Sequence, residues 1–455
     1  MSSDAPKSNP PGVLRNWNDT ATSAPRVVVR PKDVDELARV VRDSETYPSP
    51  LRTAGSFHSM NACFSSSGAQ ILLSEFTDIQ VDVTNHSVTV GAYVTMLQIR
   101  NALRPHNLRI EVQPEIGNAT AGSVACCGTK DASIGPTGLG QISSTVLAVR
   151  MVDAEGNVVA YNETDHPEKM REIRSSNGLF GILFEVTFRT LPDVYLHYKP
   201  KVIHLDPLPE FDALLGDSDG YLAFMLPYLK RIGVERRTVS SEQSPPSWFS
   251  RLKCRIRGYA WAHLSSLFSS ILPYNWFYAL FDRWVAASIQ FMSDLGGFRA
   301  HRSDSMIDFK FNRSHYFDFT FWAFPASAWP KLIPDYFDLC ASFQKETGFR
   351  SNLPSEVYLV RQDQNALLSY SSEGPIFTLD LADSRPHDPN WHELNRRFNQ
   401  LAIQHGGRPV FNQTKELTAE VARTAYGEDW ERFKELRRQA DPENRFLNQY
   451  FADLL

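Results

Sequence analysis

Cysteines, basic tracts and glycine-rich dinucleotide turns are scarce or missing in this chain, and each shortage excludes something. Only five cysteines occur in 455 residues (Cys63, Cys126, Cys127, Cys254 and Cys340), an odd and scattered set. They have no C-x-x-C spacing, so they read as reduced thiols, with no disulfide framework and no metal site. A net charge of −5 without any run of Lys or Arg leaves no electrostatic footprint for nucleic acid. The strand-to-helix turn G-x-G-x-x-G is absent, which excludes a Rossmann unit. The polar, proline-rich start, "MSSDAPKSNPPGV", is neither a signal peptide nor a spanning helix; residues 1–24 read as a flexible lead. A cytoplasmic location is the expectation. No internal repeat stands out.

What is present is ordinary in bulk, with 42% hydrophobic and 22% charged residues, and a length that calls for two or three domains. Short strands alternate with helices over the first 190 residues. "RVVVRP" (Arg26 to Pro31) reads as a strand, and Asp33 with Glu36 has capping-box spacing before a helix burying Val34, Leu37, Val40 and Val41. Further strands are expected at Gln70 to Phe76 and Ser87 to Val94, followed by a helix facing inward through Met96, Ile99 and Leu103. A hairpin turns at Ala154 to Asn157, and "GILFEVTFRTLP" closes the series. Beyond Pro192 the strands lengthen and become aromatic, at Phe317 to Pro325 and Pro375 to Ala382. The last fifty residues are mostly helical and apolar enough to fold back on an existing domain.

One stretch breaks the texture. From Gly258 to Phe281 no Asp, Glu, Lys or Arg occurs, and aromatics are dense. Pro273 divides it into halves too short to span a bilayer. Arg251, Lys253, Arg255 and Arg257 precede it. Two readings stand: a pair of short helices in a membrane interface, or a buried insertion or homodimer face.

The run "RTAGSFHS" (Arg52 to Ser59) is the most informative. Short side chains let backbone N–H groups close on a diphosphate, while the imidazole of His58 is a nucleophile when neutral. Three more runs follow in order: "PEIGNATAGSVACCGT" (Pro114 to Thr129), "SSNGLFGILFEVTFRTLP" (Ser175 to Pro192) and "DPENRFLNQYF". Together they make the chain resemble the FAD-linked oxidases of the vanillyl-alcohol oxidase (PCMH-type FAD-binding) superfamily, in the aldonolactone and alditol oxidase branch.

That resemblance implies an α+β fold: a two-subdomain PCMH-type FAD-binding domain over residues 25–193 and an inserted α+β cap domain over 194–404. The cap would carry an apolar helical insertion at about 247–298, and a C-terminal segment (405–455) would return to the FAD domain. It implies a diphosphate loop of Gly55, Ser56, Phe57, His58 and Ser59, with His58 joined covalently to FAD. Gly117, Thr120, Ala121, Gly122 and Ser123 match the stretch along the isoalloxazine, and Ile182 the backbone at the adenine end. Cys126 and Cys127 read as buried small residues, since the second attachment cysteine of doubly linked relatives aligns nearer Asn118. In "SEVYLV" (Ser355 to Val360), Glu356 matches the glutamate of a glutamate-x-arginine strand beside the flavin.

Three departures stand out. Tyr358 replaces that arginine, and Lys130 replaces the histidine of a "GTHG" motif. Gln413 falls on a lysine position, with Lys415 two residues on. The candidate base or orienting group is therefore Glu356, Tyr358 or Lys415; Glu356 also reads as a strand-edge carboxylate paired with an arginine, and Lys415 as a surface lysine. Phe319, Phe321, Trp322 and Gln413 are the expected pocket lining, which argues against a small, highly hydroxylated substrate. The implied reaction takes hydride from a CH–OH group of a sugar-derived or other alcohol, with dioxygen or another acceptor reoxidising the flavin. The alternatives are a dehydrogenase resembling decaprenylphosphoryl-ribose oxidase, acting on a bulky apolar or lipid-linked substrate, and a catalytically decayed flavin-binding protein.

Overall fold

The computed structural model describes residues 12–130, 139–242, 244–259, 275–306 and 317–455. The lead before residue 12 and the break expected at Pro273 lie outside them. The first 192 residues build two main sheets beside a short antiparallel pair, Leu14–Arg15 with Thr22–Ser23. A three-stranded parallel sheet runs in the order Val27–Val29, Ala69–Ile71, Leu51–Thr53. A larger antiparallel sheet orders Val158–Asn162, Val146–Val152, Ile182–Pro192, Ser87–Gly91 and Ile79–Asp82, with Leu108–Ile110 on the far half of Ile182–Pro192.

Local chemistry starts the helices where the spacing predicts. The Asp33 carboxylate accepts from Glu36 N–H at 2.8 Å, and Glu36 accepts in return from Lys32 N–H at 2.9 Å, opening the helix Val34–Arg42. That helix buries Leu37, Val40 and Val41 against Leu51, Ile71 and Val152. A capping box of Thr95 and Gln98 opens Met96–Leu103, which buries the three residues its periodicity marks.

The second half centres on an eight-stranded antiparallel sheet. Its order is Phe298–His301, Tyr195–His204, Arg231–Val239, Gly220–Leu226, Ser355–Val360, Ile376–Thr378, Trp322–Pro325, Arg408–Pro409. Side chains alternate across it. Tyr221, Ala223, Met225, Val357 and Leu359 enter a core closed by the helices Trp329–Thr347 and Pro389–Gln404, while Leu222, Phe224, Glu356 and Tyr358 point the other way, into a cleft.

Two expected strands are each broken in two. Phe317 to Pro325 divides into Asp318–Thr320 and Trp322–Pro325, and Pro375 to Ala382 into Ile376–Thr378 and Leu381–Asp383. Asp318–Thr320 pairs with Leu381–Asp383 apart from the large sheet, whereas the other two halves lie within it. At the break Asp380 and Glu356 exchange backbone hydrogen bonds of 2.9 and 3.1 Å as an isolated bridge, so the chain changes partner there.

The chain's end is knitted to its beginning. Arg445 donates to the carbonyls of Val40, Val41 and Tyr47 at 2.9, 2.8 and 2.6 Å, and its own carbonyl accepts from Leu51 N–H at 2.7 Å. Asn448 donates to the carbonyls of Ala62, Cys63 and Ser65. Two helices, Trp248–Tyr259 and Asn275–Asp294, lie beside the edge strand Phe298–His301 and its neighbour Tyr195–His204. No described helix is long and apolar enough to cross a membrane.

Candidate active site

One continuous cleft runs between the two halves. Its first wall is the loop 52–59 and its second the stretch 119–123; the eight-stranded sheet closes the far end. The loop is held from both sides. Trp17 N–H donates to Phe57 O at 3.0 Å, Asn16 donates to Ser59 O at 2.9 Å, and Met60 N–H donates to Asn412 O at 2.8 Å. Phe57 sits at φ 59°, a left-handed conformation rare for a bulky residue, with its ring edge-on to Phe64. That kink leaves His58 lining the cleft. Burial lowers the imidazole to about 4, so it is neutral at pH 7.

Gly55 explains its own identity. A Cβ there would lie 2.2 Å from Thr120 Oγ1 and 3.0 Å from Ser123 Oγ, so the two walls close only on glycine. Ser56 Oγ donates to Asn118 O across the same gap. Arg52 ties the base of the cleft together, donating at 2.8 Å to the carbonyls of both Cys63 and Asn177.

At the sheet end, charged and aromatic groups converge. Tyr358 donates to Glu356 Oε2 at 3.2 Å. Lys130 pairs with Asp380, and its ammonium stands 4.5 Å from the ring centroids of both Tyr358 and Phe321. Burial raises Asp380 to about 7 against the opposing pull of Lys130. It also raises Glu356, again opposed by Lys130, and lifts Tyr358 far enough that the phenol keeps its proton. Beside them lies a buried quartet. Arg237 meets Glu115 at 2.7 Å and Glu235 at 2.9 Å, and Arg257 meets Glu235 at 2.9 Å and Glu115 at 3.4 Å. Burial pushes Glu235 up, but Arg257 and Arg237 outweigh it and hold the carboxyl below its usual range. Glu115 and Arg257 both reach the cleft.

The residues singled out from the sequence separate clearly. Gly55, Ser56, Phe57, His58, Ser59, Thr120, Gly122, Ser123, Glu356, Tyr358, Phe319 and Gln413 line the cleft. Gly117 and Ala121 stand behind it, Gly117 against Leu97 and Ala121 in the core. Ile182 is also a core residue, although its neighbours Gly181 and Leu183 line a narrower extension of the cleft. Phe321 and Trp322 do not face the opening: Phe321 packs on Tyr370, and Trp322 donates to Asn399 at 2.9 Å inside the cap core. Lys415 is likewise elsewhere. It is neither a surface lysine nor a cleft group, because its ammonium is buried 3.1 Å from Asp318 and donates to Met60 O. Cys126 is buried as expected, yet it and Cys127 reach the cleft. Asp380, Leu222, Phe224 and Leu353 lie outside every family motif, and Glu115, although inside the run from Pro114 to Thr129, is not marked by it; the structure brings all five into the cleft.

Small-residue walls, a neutral histidine and a cleft running between two α+β units suit a flat dinucleotide cofactor, and the chain's relatives identify it as an FAD-linked oxidase of the PCMH-type fold, acting on CH–OH donors. Residues 25–162 match the FAD binding domain family. Residues 186–454, over half the chain, match the D-arabinono-1,4-lactone oxidase family, and the chain belongs to that family. L-gulonolactone oxidase of Bos taurus is 22% identical over 96% of this chain and 97% of its own. L-gulono-1,4-lactone dehydrogenase of Mycobacterium tuberculosis is 22% identical over 97% and 99%. A solved cholesterol oxidase from Brevibacterium sterolicum shares the fold at a TM-score of 0.76 and 16% identity, covering 99% of this chain and all of that one.

Proposed function

We propose that this protein carries FAD covalently through His58 and oxidises the CH–OH group of a sugar-derived or other alcohol, passing the electrons to dioxygen and yielding hydrogen peroxide. The observation that carries this reading is the single cleft joining His58 to Glu356, Tyr358, Lys130 and Asp380. FAD, when bound, supplies the hydride acceptor. The chain supplies everything else. Gly55 to Ser59 and Thr120 to Ser123 would hold the dinucleotide, their small side chains letting a flat ring rest on backbone. His58, neutral because it is buried, has the free electron pair that attachment to a cofactor carbon requires. Glu356 takes the substrate hydroxyl proton, and Tyr358, which keeps its own, orients that carboxylate. Lys130 places positive charge where negative charge develops on the donor oxygen.

A second reading, a bulky apolar donor with an acceptor other than oxygen, is favoured by one wall of the cleft. Leu222, Phe224, Phe319, Leu353 and Ala382 are contiguous there, and the nearby charges are already paired with one another. The test is the visible spectrum before and after acid precipitation, for the native protein and His58→Ala. A yellow native pellet and a colourless variant pellet are expected. Flavin released to the supernatant from the native protein overturns the covalent link, and a protein colourless even after incubation with FAD overturns the whole reading. Rapid reoxidation in air then separates oxidase from dehydrogenase.

A further inference from the structure

Nine of the twelve large hydrophobic residues that stand exposed among the described residues belong to one place: the helices Trp248–Tyr259 and Asn275–Asp294, with Leu295 just beyond. Their arrangement is regular. Trp276, Leu280, Trp284, Phe291 and Leu295 fall at steps of four or seven residues, forming one stripe along the second helix and just past its end; Trp276 is 65% and Phe291 62% exposed. On the first helix, Trp248 (69% exposed), Leu252 and Ile256 likewise share an outward face.

The outward face of this pair is unusual in polarity. A water-facing helix turns charge outward and apolar residues inward. Here the second helix buries Tyr278, Phe281, Val285 and Ala286 in the usual way, yet its outward face is apolar too. Charged groups also turn inward: Lys253 donates to the carbonyls of Leu295 and Gly297 at 2.8 and 2.9 Å, Arg257 pairs with Glu235, and Asp282 pairs with Arg350. Lys253 and Arg257 thus tie the first helix to the cap, Asp282 and the buried apolar face hold the second, and the outward apolar residues of both helices are surplus to that packing.

We propose that this helix pair is a docking surface for an anionic lipid bilayer, its aromatic stripe resting at the boundary between headgroups and acyl chains. The pair carries five basic residues and two acidic ones, in a chain whose net charge is −5. Arg251, Arg255 and Arg283 are exposed beside the apolar stripes, whereas Asp282 is buried and Asp294 stands at the helix end. This charge matches anionic headgroups. It disfavours a second copy, because a two-fold interface would set the same arginines against one another. Contiguous exposed apolar surface of this kind marks an interaction site. The proposal stands independently of the flavin chemistry, although Arg257 makes the docked helix a wall of the cleft.

The test uses the full-length flavoprotein in co-sedimentation with vesicles of phosphatidylcholine alone or with about 30% phosphatidylserine. The native protein is expected to pellet with the anionic vesicles and to be released by salt. Trp276→Ser with Phe291→Ser should weaken partitioning by about tenfold or more, with the flavin spectrum unchanged. Arg251→Gln with Arg255→Gln should remove the preference for the anionic vesicles. If the double aromatic variant fails to fold, a blue shift of native tryptophan emission on adding vesicles decides in favour, and no shift decides against. Native protein that stays in the supernatant with both vesicles, or variants that bind as well as native, overturns the proposal. So does a dimer in solution that ignores vesicles and that the aromatic substitutions convert to monomer.

Discussion

Replacing Lys130 with methionine removes the cation from a buried carboxylate pair without changing the length of the side chain much. Asp380 is the group that responds. It sits at about 7 against an ordinary 3.8, raised by burial and held from rising further by Lys130. A raised acid binds its proton more tightly in the folded state, so folding stability falls as pH climbs from about 4 and levels off above about 7. Over those three units the native loss is about 4 kcal/mol, at 1.36 kcal/mol per unit. Without Lys130 the carboxyl rises past 7, and its proton must be given up at higher pH, where the native curve is already flat. The variant's deficit is therefore expected to grow by about 2 kcal/mol between pH 7 and 8.5, or about 2 °C in apparent Tm for a chain of this size. Differential scanning calorimetry at one scan rate measures this, with Lys130→Arg expected to keep the native profile. Stability curves for Lys130→Met and native protein that stay parallel through pH 8.5 would refute the coupling of Lys130 to Asp380.

Further expectations follow from the same geometry. Glu356→Gln should lower kcat by about 100-fold or more with little change in flavin content, measured by steady-state turnover and absorbance. Attachment of flavin should be independent of pH above about 5 and should slow below it as His58 gains a proton, because its value lies near 4; a rate that instead changes around 6.5 would show an exposed imidazole. Gly55→Ala pushes a methyl to within 2.2 Å of Thr120 Oγ1, and is expected to cost about 1–3 kcal/mol of stability and to weaken FAD binding in titrations of apoprotein. Lys415→Met leaves Asp318 buried without its cation and should cost about 3–5 kcal/mol in unfolding, while the folded fraction keeps its turnover.

Much of the flavin half was legible because its constraints are local. A glycine-serine turn, a capping box at Asp33 and alternation in Ile182 to Pro192 each declare themselves within a dozen residues. The cap half hid its site through breaks and partners distant in sequence. "FTLDLA" alternates like one strand, and nothing near Asp380 indicates that the chain changes sheets there and turns a carboxylate into the cleft. Phe321 and Trp322 are as aromatic as Phe319, but the same kind of break sends them into packing. Lys415 misled for a related reason: its partner Asp318 lies about a hundred residues away.

The two departures at 130 and 358 are better understood together than apart. Considered separately, an arginine lost to Tyr358 reads as a site stripped of its positive charge, and a lysine in place of a histidine reads as incidental. In the folded chain the ammonium of Lys130 stands 4.5 Å from the Tyr358 ring centroid and is paired with Asp380. The cation has not disappeared; it reaches the same place from the opposite wall. A flat guanidinium could bind a donor oxygen through two hydrogen bonds, whereas an ammonium acts as a compact point charge. On the proposed reading, the exchange would keep a field suited to a developing alkoxide and give up bidentate recognition of neighbouring hydroxyls. On that argument Tyr358→Arg together with Lys130→His should favour polyhydroxylated donors at the expense of apolar ones. Competition assays between a sugar lactone and a hydrophobic secondary alcohol would measure the change. An unaltered ratio would mean that selectivity resides in the apolar wall of Leu222, Phe224 and Leu353 instead.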